Sequence, residues 1–209
     1  MDVGSLVDQA QRVLVRSPNR FLDALEAGTV SRDRLRLLAG ELYWLVSTDA
    51  RSSALLAERF PTSTLFAGMA AGEDEALRLL LEFAATLGLG ERDLRAYEPM
   101  PSAQAYPAYL AQTAAFGGRA SLPFAMLVNV AESGGYYTRA ADALVANYRF
   151  PEPSVAHFRF FSDTPEEMLK LAIDTVSLGL SEGDDPAMLV RTAKMVNAYE
   201  AAFWSTLAG

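Results

Sequence analysis

ASLPFAMLVNVAESGGYYTRAADALVANY, residues 120–148, repeats its apolar residues at helical rather than alternating spacing. It reads as one helix that is apolar on almost every side at its start, which places its first half at the centre of a bundle. Gly134-Gly135 falls inside that helix. Two adjacent glycines in a helix interior lose roughly 1 kcal/mol each relative to alanine, so either the helix kinks there or another element packs very close.

The same periodicity continues on both sides, with Ala, Leu, Glu and Arg dominant, and predicts an all-α chain. SLVDQAQRVLVRS and NRFLDALEAG read as two short opening helices, the second stopped by Gly28. Ser31 caps a long helix from about Asp33 to Arg59, ended by Phe60-Pro61. Thr62 or Ser63 starts the next, which runs to the stop signals Gly88 and Gly90, with Gly72 a candidate break. A short helix, a Pro-rich turn and a helix to roughly Thr113 follow. Beyond Pro151-Glu152-Pro153 comes HFRFFSDTPEEM, residues 157–168, and the last helix spans about Asp185 to Leu207. No repeat or linker interrupts the pattern, and 209 residues suit one domain, 1–209.

Hydrophobic residues make up 51% of the chain and charged residues 21%, enough to build a core. A net charge of −8 argues against a nucleic-acid or anionic-membrane binder and favours a small-molecule or protein partner. With no Cys there is no thiolate nucleophile, disulfide or Cys-ligated metal. The opening residues show neither signal-peptide nor membrane-spanning character, and a cytoplasmic setting is expected.

Three strings carry a resemblance. FLDALEAGTVSRDRLRLLAGELYWLV, LLLEFAATLGLGERDLRAYEPMPSAQAYPAYL and MVNAYEAAFWSTL resemble successive parts of the haem-oxygenase-like superfamily in its TenA (thiaminase II) and PqqC-type branch, the last through a Glu-x-x-Phe-Trp ending. The resemblance covers most of the chain and implies a helical bundle around a central cavity, assembled as a homodimer or homotetramer. Iron oxidases of the superfamily resemble Phe-Phe-x-x-His-x-x-x-Asp-x-x-His in the helix that corresponds to HFRFFSDTPEEM. Here Phe161, Pro165 and Met168 stand where those ligands would be, and none suits an iron-carboxylate site. The helix of MAAGEDEALRLLL holds acids but no His, and no His precedes residue 157 to serve as a haem ligand. No metal or cofactor is therefore expected. TenA proteins carry a nucleophilic Cys on the central helix. Asn129 or a neighbour takes that position here, and Leu42 or Glu41 falls at the family's early Asp. Glu200 matches the family's C-terminal Glu.

These readings converge on a candidate site. Glu200 shares a helical face with Phe203 and Trp204, and Glu132 forms a polar stripe with Asn129 and Tyr136. Glu132 and Glu200 are the expected acid/base pair, with Tyr43, Trp44, Tyr106, Tyr109 and Tyr137 as a stacking wall for a planar ligand. The leading expectation is a metal-independent enzyme of TenA/PqqC type performing C–N hydrolysis or acid/base cyclisation on a ring-containing metabolite. The alternatives are a non-catalytic ligand- or partner-binding member and a degenerate iron-dependent oxidase. His157 reads as an ordinary histidine near a helix N-terminus, and GEDE at 72–75 as a solvated loop or helix start. SDTPEE reads as an N-cap with Ser162 or Thr164 capping and Pro165 first in the helix.

Overall fold

The computed structural model describes residues 2–14 and 16–208. Ten α-helices account for its regular structure together with one 3-10 turn at Glu152–Val155: α1 (Val3–Gln11), α2 (Arg20–Glu26), α3 (Arg32–Arg59), α4 (Thr64–Thr86), α5 (Glu91–Arg95), α6 (Pro101–Phe116), α7 (Ser121–Tyr148), α8 (Ala156–Ser162), α9 (Glu166–Glu182) and α10 (Pro186–Ala208). Among the described residues none of these helices is long and apolar enough to cross a membrane. Val15, within the stretch read as the first helix, lies outside the described residues.

Caps explain the first boundaries. Asp2, Asn19 and Ser31 each accept a backbone N–H from the first turn they precede, at 2.9, 3.1 and 3.2 Å. Gly28 sits at φ +68°, a conformation that side-chain-bearing residues rarely adopt, and closes α2. Two expectations need correction. Gly72 does not break α4, which runs on through GEDE and buries Ala76, Leu80 and Phe83 beyond it. HFRFFSDTPEEM is the end of α8 and the start of α9, not a single helix start. Pro165 is the residue before α9, and neither Ser162 nor Thr164 caps it through a side chain. Proline excludes the preceding residue from helical geometry, and the Ser162 hydroxyl donates backwards to Phe158 O at 2.9 Å.

Gly134-Gly135 resolves in favour of close packing. The helix α7 passes through without a break, and a Cβ on Gly134 would stand 2.8 Å from the Ser162 carbonyl oxygen. Only glycine lets the α8–α9 turn approach the central helix this closely.

Packing neighbours close into a ring. Helix α4 packs on α3, α3 on α6, α6 on α10, α10 on α7, and α7 on α8 and α9, both of which return to α4. Two apolar clusters fill the ring at different levels. One contains Phe21, Leu42, Val46, Phe83, Tyr137, Phe158, Phe203 and Trp204, and the other Leu56, Phe66, Phe124, Val128, Val176 and Val196. Helices α3, α4, α6, α7 and α10 each pass from one cluster to the other, and the residues between the two levels determine what the middle of the ring is made of.

Candidate functional site

Between the two clusters lies a cavity of about 380 Å³. The apolar stripe of α3 runs Leu42, Val46, Asp49, Ser53, Leu56, and that of α4 runs Phe66, Met69, Glu73, Ala76, Leu80. Helix α10 runs Leu189, Ala193, Val196, Glu200, Phe203, Leu207. In each stripe one acid interrupts the apolar series at helical spacing, and all three acids, Asp49, Glu73 and Glu200, line the cavity. Helix α7 adds Asn129 and Ser133, and α6 adds Tyr106. Met69, Leu110, Phe160, Phe161 and Met168 supply much of the apolar surface. No lysine, arginine or histidine among the described residues lines it.

Glu200 is 5% exposed, and its Oε1 accepts a hydrogen bond from the Ser133 hydroxyl at 2.7 Å. Burial pushes its carboxyl up to about 7. The Ser133 bond opposes that rise, and the charge of Glu132 adds to it. Burial likewise pushes Glu73 up to about 8, with the Asp74 charge adding to the rise, and holds Asp49 well above the usual carboxylate range, with Glu73 contributing. Neither Asp49 nor Glu73 has a hydrogen-bond donor among the described residues, and Asp49 Oδ1 and Glu73 Oε2 are buried without partners. Asn129 is 4% exposed and spends both amide hydrogens on the carbonyls of Ala125 and Ala193, at 2.8 and 3.2 Å. Those two acceptors fix the amide orientation and leave Oδ1 unpartnered as well. The Tyr106 hydroxyl stays protonated, its pKa raised by burial and then by the Glu200 charge.

Of the residues expected from the sequence, the cavity brings together Glu200, Asn129 and Tyr106. Glu132 is not on the wall: its carboxylate accepts the Tyr136 hydroxyl at 2.7 Å and the Asn197 amide at 3.1 Å, beside the Glu200 helix. Tyr136 is thereby occupied too. Tyr137 and Trp204 sit one layer behind, Tyr137 packing on Phe161 with ring centroids 5.0 Å apart and on Trp204 at 5.8 Å. Tyr43 is buried edge-on to Trp44, whose indole N–H donates to the Tyr97 carbonyl. Tyr109 pairs with Tyr199 away from the cavity wall. Asp49 and Glu73 were missed. The stripe is the signal that would have found them, but GEDE reads as a surface charge run when taken by itself. Glu41, read at the family's early-Asp position, is satisfied elsewhere, and Asp49, two turns on, is the α3 acid that lines the cavity.

The metal and haem that the superfamily implies do not fit these residues. Phe161, Pro165 and Met168 all line the cavity, filling the wall with carbon and one thioether where ligands would be needed. Among the described residues no three His, Cys, Asp or Glu side chains group closely enough to hold an ion. His157 is fully buried in the core beside Phe158 and Phe161, its Nδ1 donating to the Ala76 carbonyl at 2.9 Å, and burial lowers its pKa to about 4. It is a neutral packing residue off the cavity wall.

A closed ring of helices around a largely apolar cavity with a few acids in its wall defines a haem-oxygenase-like bundle, and solved structures agree. A domain of unknown function with a heme oxygenase-like fold from Shewanella denitrificans OS217 superposes with a TM-score of 0.67 at 16% identity, over 98% of this chain and 88% of that one. A TenA homologue from Pyrococcus furiosus gives 0.68 at 20%, covering both chains completely. A TenA homologue from P. horikoshii OT3 gives 0.64 at 18%, over 99% and 97%. No curated protein matches the sequence. The TENA/THI-4/PQQC family matches residues 19–204, and this chain belongs to that family.

Proposed function

We propose that this chain is a TenA-like enzyme that works without a metal, transforming a ring-bearing small molecule by acid/base chemistry, with cleavage of a C–N bond by water as the reaction. One observation carries the reading: Glu200, buried on the cavity wall and bonded to Ser133, has its carboxyl raised to about 7, so near neutrality it can both take and return a proton. The family's thiolate route is unavailable in a chain without Cys. In its place, Glu200 takes a proton from water as that water attacks the carbon bearing the leaving nitrogen. The nitrogen receives a proton from Glu73, whose carboxyl is pushed up to about 8, beside Asp49, held by burial well above the usual carboxylate range. The aromatic and thioether surface holds the ring and keeps bulk water away from the acids.

Purified protein is incubated with a panel of N-alkylated aminomethyl heteroaromatics, and C–N cleavage is followed by liquid chromatography and mass spectrometry. Turnover of at least one member is expected, with kcat falling about 100-fold or more in Glu200→Gln and KM moving less. Equal turnover by Glu200→Gln overturns the assignment. Binding without turnover across the panel puts the non-catalytic ligand-binding reading in its place.

A further inference from the structure

Glu132, expected from the sequence as half of an acid/base pair, stands behind the cavity wall between two helices. Glu132 and Ser133 are consecutive on α7, and Asn197 and Glu200 lie one turn apart on α10. The Asn197 amide donates to Glu132 Oε2 at 3.1 Å, and the Ser133 hydroxyl donates to Glu200 Oε1 at 2.7 Å. Neighbouring residues of α7 thus make two cross-links to α10, and the first fixes the level at which the second forms. The Tyr136 hydroxyl, one turn further along α7, donates to Glu132 Oε1 at 2.7 Å, so both carboxylate oxygens are held and the side chain is locked in place.

Both partners of Glu132 are neutral, and no Lys, Arg or His among the described residues pairs with it. Arg139, three residues beyond Tyr136, is engaged by Asp23 and Glu26 of α2. The charge on Glu132 is therefore uncompensated. Glu200 also faces Tyr106 from α6 and Tyr137 from α7, with Asp49 and Glu73 across the cavity on α3 and α4. Burial keeps both tyrosine hydroxyls protonated and raises the carboxyls of Asp49 and Glu73 toward their uncharged forms. The like charge that reaches Glu200 is that of Glu132, and it favours the protonated carboxyl.

We propose that Glu132 is a positioning residue for Glu200: locked by Tyr136 and Asn197, it sets the register of α7 on α10 that delivers the Ser133 hydroxyl to Glu200, and it presents an uncompensated charge to Glu200 from behind the wall, out of reach of anything bound in the cavity. This deepens the reading of Glu200 as the acid/base group and rests on it. The coupling between the two carboxyls is nevertheless measurable without a substrate, so each can fail by itself.

The test is a carbon-13 NMR titration of the side-chain carboxyls in the full chain, with the Glu132 and Glu200 signals assigned through bonds. Glu132→Gln keeps the shape, an acceptor for the Asn197 amide and a hydrogen-bonding group for Tyr136, and removes only the charge. The Glu200 midpoint, about 7 in the wild-type chain, is expected to fall by at least about 0.5 pH unit in that variant. Asn197→Ala leaves the charge and removes the first cross-link; the Ser133 bond, which favours ionised Glu200, loosens, and the midpoint rises instead. Both variants are checked for native helicity and melting. A purely structural Glu132 would alter melting and leave the midpoint in place. That result in Glu132→Gln, or a midpoint that rises there, overturns the proposal, and an unmoved or lowered midpoint in Asn197→Ala overturns its register half. The wild-type chain decides even where a variant fails to fold: the Glu132 signal is expected to move as Glu200 ionises, and a Glu132 signal that is flat there overturns the proposal. Coupling in a chain that turns nothing over supports this proposal while removing the catalytic one. Turnover lost in Glu200→Gln, with the midpoint unmoved in Glu132→Gln, does the reverse.

Discussion

Glu41 and Asp49 lie eight residues apart on α3, two turns along the same helix, and their surroundings are opposite. Glu41 is fully buried and fully answered, accepting the Tyr97 hydroxyl at 2.7 Å, the Met100 amide at 2.7 Å and the Gln104 amide at 2.6 Å. Asp49 faces the cavity with no donor, and burial and Glu73 together hold its carboxyl well above the usual range. Burial of an acid therefore does not by itself mark a functional group. The first acid ties α3 to the turn before α6 and to α6 itself, while the second is left without a partner.

The contrast can be broken most directly by removing each acid. Glu41→Ala strands three part-buried donors and leaves a hole at a fully buried position, and is expected to cost about 3 kcal/mol in chemical denaturation. Asp49→Asn, by contrast, removes a like-charge contact and is expected to stabilise the empty protein at pH 8 by about 1–2 kcal/mol. Equal losses in the two variants would erase the distinction.

pH sharpens it. Folded Glu73 and Glu200 keep their protons to about pH 8 and about pH 7, whereas a carboxyl in the unfolded chain loses its own near 4.5. The native state binds more protons across that window, so these groups contribute stability below 4.5 that is lost as pH rises to about 8. His157 runs the other way, since its pKa falls from 6.5 to about 4 and it removes stability only as pH drops below about 6.5. Between pH 6.5 and 8.5 the acids act without that opposition. The Tm of the ligand-free protein is expected to fall by roughly 5 °C over that range, and Glu73→Gln is expected to flatten the slope. The smallest effect is on α7, where one glycine is covered and its neighbour is not. Gly135 has open space beside it, so Gly135→Ala should stabilise by up to about 1 kcal/mol in thermal melts. Gly134→Ala should destabilise by about the same amount, because the Ser162 carbonyl must retreat.

Much of the fold was legible because its signals are local. The Ser31 cap, the Phe60-Pro61 stop, the positive-φ Gly28 and the Glu-x-x-Phe-Trp ending each depend on neighbours within a turn or two. Gly72 was over-read, since one glycine weakens a helix less than the buried Ala76, Leu80 and Phe83 beyond it hold it together. The two halves of HFRFFSDTPEEM could not be separated from sequence, because the α8–α9 turn depends on its approach to Gly134, 28 residues before Ser162.

The sequence by itself determined an all-α chain of the TenA-type fold, the boundaries of most of its long helices to within a few residues, and Glu200 as an acid on an apolar face. Periodicity, capping and glycine placement are properties of adjacent residues, and those decide which face of a helix turns inward. Only the tertiary structure decided which polar residues on those faces meet. It gathered Asp49, Glu73, Asn129 and Glu200 from four helices into one cavity and turned Glu132 to Tyr136 and Asn197 instead. The choice depends on the levels at which two separate apolar clusters leave the middle of the ring unfilled, and that level is set by packing across the bundle.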